Sequence, residues 1–229
     1  LRTPHAGIAL IAAALACASC GGQSESRDQR GVAYQGIDGR ITVIRPGDDS
    51  NKAFTEGMDL KTKGDCAGAI QKLRPVANIG VGYESAQTAL GDCLLRTGVT
   101  GGETSADYLD GLTWLRRAAD AGWPEAQGHL AIAYAKGPGS VRNGEEAAYW
   151  LALYRSNPSK SRIGFTPLPA ADIASVQNSL SPTENAAGEK RAATWQRKIW
   201  VPPAPQVDDL KKERGPRVRE RRMQPLASN

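Results

Sequence analysis

Between Asp107 and Lys136 the apolar residues fall at helical spacing. Leu112, Leu115, Ala118 and Ala119 recur at i, i+3, i+6 and i+7, which places them on one face of an α-helix. Gly122-Trp123-Pro124 interrupts the pattern. The spacing predicts a helix end there, with Gly122 in the left-handed position past the last turn. Pro124 then opens a new helix, where its missing amide had no partner. This second helix carries Ala126, Leu130, Ala133 and Tyr134 on its inner face and stops at Gly137-Pro138-Gly139. Helices this short are unstable alone, so each needs its partner and further pairs stacked alongside.

Further pairs are present. Asp107, Gly111 and Trp114-Leu115 return as Asn143, Ala147 and Trp150-Leu151. Upstream, Asp65, Ile70, Leu73 and Ala77 superpose on Asp107, Leu112, Leu115 and Ala119, and Ala86-Gln87 and Leu90 superpose on Ala126-Gln127 and Leu130. The small offset between the two alignments is absorbed in the turn from Ile79 to Gly82. A period of about 40 residues predicts an all-α fold, a solenoid of stacked helix pairs. The third copy leaves the pattern after Tyr154, where Ser156-Asn157-Pro158 leads into a polar stretch without the Ala-Gln element.

From Trp114 to Gly137 the chain reads W-L-x-x-A-A-x-x-G-x-x-x-A-Q-x-x-L-A-x-x-Y-x-x-G. This resembles the Sel-1-like repeat, a relative of the tetratricopeptide repeat with a longer and more variable loop. The resemblance implies a right-handed α/α superhelix whose concave face binds proteins or peptides and scaffolds complexes. It implies no catalytic residue, cofactor or metal. Arg116, Arg117, Tyr149 and Tyr154, at polar or aromatic positions outside the apolar stripes, are the candidates to line that groove.

The repeat domain is expected over residues 51–200. Its first helix begins near Asp49-Ser50-Asn51, any of which can cap, and runs through Phe54, Met58 and Leu60 to Lys63-Gly64. Its end is expected to be covered by two helices, one over Ala171 to Leu180 and one opened by Ser181-Pro182-Thr183-Glu184. In the latter, Ser181 caps, Pro182 takes the first helical position and Glu184 completes a capping box. That helix is expected to continue to about Trp200. The Gly-rich loops after Gly98 and Gly137 lack any phosphate-binding spacing and read as spacers.

Residues 1–20 read as an export signal, with Arg2 and His5 before an apolar run that ends in small residues. The run resembles a bacterial lipoprotein signal, in which a cysteine receives the lipid. Cys17 follows Ala14-Leu15-Ala16, the better lipobox, while Cys20 is followed by Gly21-Gly22 and would leave an even number of cysteines. Cys17 is the first candidate and Cys20 the alternative; an ordinary secretory signal remains a third reading. The resemblance implies a membrane anchor on the periplasmic face of a bacterial membrane. The absence of Asp after either cysteine points to the outer membrane. Residues 21–50 form a tether with a small hairpin about Asp38-Gly39, expected to dock on the first helices or, alternatively, to pair with a partner's sheet edge.

From residue 201 to 229 a Pro-rich linker passes into the strongly basic run Lys211 to Arg222, which accounts for much of the formal charge of +5 on 229 residues. No apolar periodicity accompanies it, so disorder is expected. Export takes nucleic acid out of reach. The partners left to the tail are anionic lipid headgroups, an acidic envelope polymer or an acidic protein.

Cys66 and Cys93 come to nearly the same height if their helices are antiparallel. In an oxidising compartment they are a candidate disulfide; equally, each fits a small buried position, as the alignment of Cys93 with Ala133 suggests. Catalysis finds no support. Apart from His5 the chain has only His129, expected on a helix flank or exposed and more often solvated than a base, and there is no HExxH or GxSxG. Glu145-Glu146 opens a helix, where carboxylates favour the dipole. The expected function is therefore a non-enzymatic envelope scaffold that holds a protein or peptide in its groove. The alternative is binding of an acidic envelope component by the tail, with the repeats as spacer.

Overall fold

A computed structural model describes residues 32–35, 41–44, 49–100 and 103–203. Eight α-helices carry the fold: α1 Asp49–Thr62, α2 Cys66–Ala77, α3 Glu84–Thr97, α4 Ala106–Asp120, α5 Pro124–Lys136, α6 Gly144–Ser156, α7 Ala170–Ser179 and α8 Pro182–Ala192. Two short antiparallel hairpins accompany them, β1 Val32–Gln35 with β2 Ile41–Ile44 and β3 Val99–Thr100 with β4 Glu103–Thr104. The export signal with Cys17 and Cys20, the Asp38-Gly39 turn and the basic run after Lys211 lie outside the described residues.

The helix ends follow from local chemistry. Gly122 has φ +88°, its N–H donates to the Ala119 carbonyl and the Trp123 N–H to that of Ala118, both at 2.9 Å. This is the Schellman closure, and Pro124 starts α5 directly after it. Gly64 ends α1 in the same way, with φ +83° and an Asp65 N–H to Leu60 carbonyl bond of 2.9 Å. Asp65, Ser105 and Asn143 cap α2, α4 and α6 with their side chains, and Ser181 with Glu184 forms the expected capping box on α8. The loop after Gly98, read as a spacer, pairs its two ends as β3 and β4.

Each helix packs against the next in the chain from α1 to α6, and α1 also meets α3, α3 meets α5, and α5 meets α7. The helices therefore alternate between two rows, α1, α3, α5 and α7 in one, α2, α4 and α6 in the other, with α8 laid on α6. Leu73, Leu90 and Leu94 centre one buried cluster, and Leu115, Leu130, Trp150 and Leu151 the other. The Ala-Gln element performs the same task in both units where it occurs. Gln87 Nε2 donates to the Ala77 carbonyl and Gln127 Nε2 to that of Ala119, each at 3.3 Å, tying the start of one helix to the end of its partner. In the third unit, which lacks that glutamine, Asn157 reaches back instead. Its Nδ2 donates to the Gly122 carbonyl at 3.0 Å and to Gln127 Oε1 at 2.8 Å.

The chain after α8 departs from expectation. The helix stops at Ala192 rather than near Trp200. The Thr194 and Trp195 amides turn to carbonyls three residues back, and the Thr194 hydroxyl also donates to the Arg191 carbonyl. Such tight bonds end a helix. Residues from 195 to 203 have no regular secondary structure and return across the outer side of α4 toward the Gly80 turn, where Trp200 and Pro202 find seats.

Candidate functional site

Of the residues expected to line a groove, Tyr149 and Tyr154 are buried, Arg117 is half-buried and Arg116 stays exposed. Arg116 Nη2 donates to the Tyr134 hydroxyl at 2.6 Å and faces Glu146 at 3.5 Å. Tyr149 lies beneath the Arg191 guanidinium, 3.8 Å from its ring centre, and is buried. Tyr154 is buried too, its hydroxyl accepting from the Leu168 N–H at 3.3 Å. Arg117 is held between two indoles. Arg117, Tyr149 and Tyr154 therefore attach the C-terminal elements and the α6–α7 connector, while Arg116 links α4 to α5 and α6. For those three residues the expectation of an open groove fails because the path of residues 157–203 decides it, and helical spacing does not encode that path. Glu146, read as a dipole partner, also joins three helices: it accepts from Trp150 Nε1 at 3.1 Å and pairs with Arg116 and Arg191.

An open cleft of about 540 Å³ lies on the other row. Helix α1 gives Phe54, Met58 and Lys61, α3 gives Ser85, Thr88 and Ala89, α5 gives Glu125 and His129 with Trp123 just before its start, and the connector closes one wall with Ile163 and Thr166 to Pro169. The connector is fixed by Arg162. Its Nη2 donates to both Glu125 oxygens, at 2.6 and 2.7 Å, and its guanidinium lies over the Trp123 ring at 3.7 Å. Glu125 Oε1 also accepts from the Thr166 N–H at 3.1 Å. A bidentate, largely buried pair of this kind holds a wall in place and leaves no net charge there.

Beneath the cleft sits Asp92, its side chain only 8% exposed. Lys61 Nζ lies 2.9 Å from its carboxylate, Arg96 Nη2 3.1 Å and His129 Nδ1 3.7 Å. Burial pushes the Asp92 carboxyl up, but His129, Lys61 and Arg96 together outweigh burial and hold it below the usual range. His129 moves the other way: desolvation lowers it, against the pull of Asp92. Near neutral pH the imidazole is uncharged, and one carboxylate faces two permanent cations. Of these groups Lys61 and the uncharged His129 line the cleft, with the Asp92 carboxylate buried behind them, and the walls around them are mainly apolar.

Of the two placements its spacing allowed, His129 takes the helix flank and not full exposure. Its side chain is 23% exposed and lines the cleft beside Asp92. Lys61, Asp92 and the Glu125–Arg162 pair were not singled out from the sequence. Asp92 had one signal, a carboxylate inside the otherwise small and apolar run from Ala89 to Leu95. The Thr88 hydroxyl is committed to the Glu84 carbonyl at 2.7 Å. Among the described residues no group of three or more His, Cys, Asp or Glu could hold a metal, and no helix is long and apolar enough to cross a membrane.

Cys66 and Cys93 do come together, as buried thiols with Sγ atoms 2.7 Å apart. Burial, then the neighbouring Cys66 thiol, pushes the Cys93 thiol up to about 12. They lie at the α2 start and α3 end, as the antiparallel reading required.

Burial of His129 makes the fold sensitive to mild acid. An unfolded histidine takes up its proton near pH 6.5, whereas the folded one does so only at lower pH. Stability is thus fully present above about 6.5 and is lost as pH falls toward the folded value, by up to about 1.4 kcal/mol per pH unit. Urea unfolding between pH 7.5 and 5 is expected to show this slope in the native chain and a shallower one in His129→Gln. Equal slopes would remove His129 as the cause. Asp92 acts in a separate, more acidic window, where its contribution is lost as its depressed carboxyl protonates.

Comparison of the chain with protein-family models, with curated proteins and with solved structures gives no match.

Proposed function

We propose that this chain is a non-enzymatic interaction scaffold of the bacterial cell envelope, a Sel-1-like helical-repeat solenoid held to the membrane by lipid at Cys17 or Cys20. Its binding site is the α1, α3 and α5 cleft, and its ligand is a protein or peptide segment with an apolar side chain and an acidic group. One observation carries this reading: the cleft combines apolar walls with the Lys61 ammonium and the His129 imidazole, both set against the buried Asp92 carboxylate. The apolar walls supply most of the affinity and the Lys61 ammonium orients the segment. The alternation of the helices and the shared role of Gln87 and Gln127 support the repeat reading.

Photocrosslinking in envelope preparations tests it. A photoreactive residue at Thr88 is expected to give a discrete protein adduct, while one at exposed Thr113 on α4 gives none. The adduct persists at about 0.5 M salt, because binding in a largely apolar cleft is weakly screened. It also persists when Lys211 to Arg222 is deleted. An adduct lost under both conditions would move the function to the basic tail, and identical patterns from both positions would remove the cleft.

A further inference from the structure

Residues 194–203 form a strap over α4 with three points of attachment. The Lys198 N–H donates to the Asp120 carbonyl at 2.8 Å. Trp200 meets Trp114 edge to face, ring centres 5.8 Å apart, and the Arg117 guanidinium lies over both indoles, 4.3 Å from Trp114 and 4.1 Å from Trp200. Pro202 rests on Gly80. A Cβ at that glycine would come within 2.7 Å of Pro202 Cδ, and its φ of +97° already favours glycine. Between and beside these anchors, Ile199 and Val201 point outward, 45% and 68% exposed. Alternate residues in and out are the mark of an extended peptide lying on a receptor surface.

The strap covers this surface imperfectly. Trp114 is 3% exposed, yet its Nε1–H has no acceptor among the described residues. Burial of a donor without a partner weakens the fit between surface and cover. A segment that brings the same aromatic and proline anchors, plus a carbonyl to that N–H, fits better than the strap does.

We propose that the α4 surface around Trp114 and Arg117, together with the Gly80 turn, docks an extended aromatic-x-proline segment of a partner protein, and that residues 194–203 are its built-in competitor. The partner's aromatic ring replaces Trp200 beside Arg117, where cation–π attraction is strengthened by burial. Its backbone N–H takes the Asp120 carbonyl, and its proline takes the Gly80 seat. This surface is separate from the α1, α3 and α5 cleft and does not depend on the reading given to that cleft.

A labelled peptide of residues 194–203 serves as the probe, with the full chain as receptor. In Trp200→Ala the strap loses its anchor, so the peptide is expected to bind at least about tenfold more tightly than to the native chain. A peptide with alanine at the Trp200 position binds neither, and adding Arg117→Ala to the variant chain abolishes the gain. On the native chain, excess peptide speeds hydrogen exchange at the Lys198 amide, a readout that needs no mutation. Unchanged exchange at that amide under saturating peptide, or binding indifferent to the peptide's tryptophan, would overturn the proposal. A concentration-dependent dimer of the native chain dispersed by the peptide would also overturn it, assigning the surface to a second copy of this chain.

Discussion

Gly111→Val is expected to destabilise the fold by about 3 kcal/mol, read as a drop in the urea midpoint with unchanged slope. Helices α3 and α4 cross with their backbones in near contact. A Cβ on Gly111 would stand 2.9 Å from both the Gly91 carbonyl oxygen and Leu94 Cβ, and a Cβ on Gly91 2.9 Å from the Gly111 oxygen and 2.7 Å from Leu115 Cγ. Neither obstacle is the free end of a side chain, so the helices must part, and Leu90, Leu94 and Leu115 lose packing with them. Gly68→Ala is the contrast. There the added carbon meets only the Asp65 side chain, at 2.5 Å to an oxygen that can rotate away. Loss of that cap is offset by the better helix propensity of alanine, leaving a cost below about 1 kcal/mol. Equal costs at both sites would mean that the α3–α4 crossing is looser than this geometry.

The second large effect is expected at Cys66 and Cys93. Joining them releases two protons and two electrons, which a small-molecule disulfide oxidant accepts as it is reduced to two thiols. The pair is separated by 27 positions in the chain. Closing a loop of that size stabilises by about 3 kcal/mol through the unfolded ensemble. Urea unfolding with and without reductant is expected to show this difference, and intact mass after alkylation without reductant to show no label on either cysteine. Two labels on the denatured, unreduced protein would establish the free-thiol form. With the Cys93 thiol pushed up to about 12 by burial, little thiolate is present at neutral pH, so spontaneous exchange is slow once the fold has closed.

What the sequence made legible is what neighbours in the chain decide. Gly122, Pro124, Asn143 and the Ser181–Glu184 box act within a turn of where they stand, so their roles could be read directly. The apolar stripes placed Leu115 and Leu130 in the core, because one helix face must be buried whatever covers it. The candidate site was a different matter. His129 lines a cleft only because α1 lies on one side of it and a connector pinned by Arg162 and Asn157 on the other. Tyr149 is covered only because α8 brings Arg191 over it, and Arg117 is partly covered only because the chain turns back after Ala192. Those placements rest on contacts between residues 30 or more positions apart, such as Asn157 with Gln127 and Arg162 with Glu125. A single sequence carries no periodicity for them.

The order of contacts along the chain also bears on how the molecule assembles. Almost every helix meets partners one or two helices away, so most of the structure forms by closing short loops and its folding nucleus can arise at any pair. The exception is the strap, whose Trp200 and Pro202 must find Trp114 and Gly80 across most of the folded chain. It has nothing to dock on until α2, α3 and α4 are in place. It is thus the last segment to settle during folding and, with few buried contacts of its own, the first to leave in the native state.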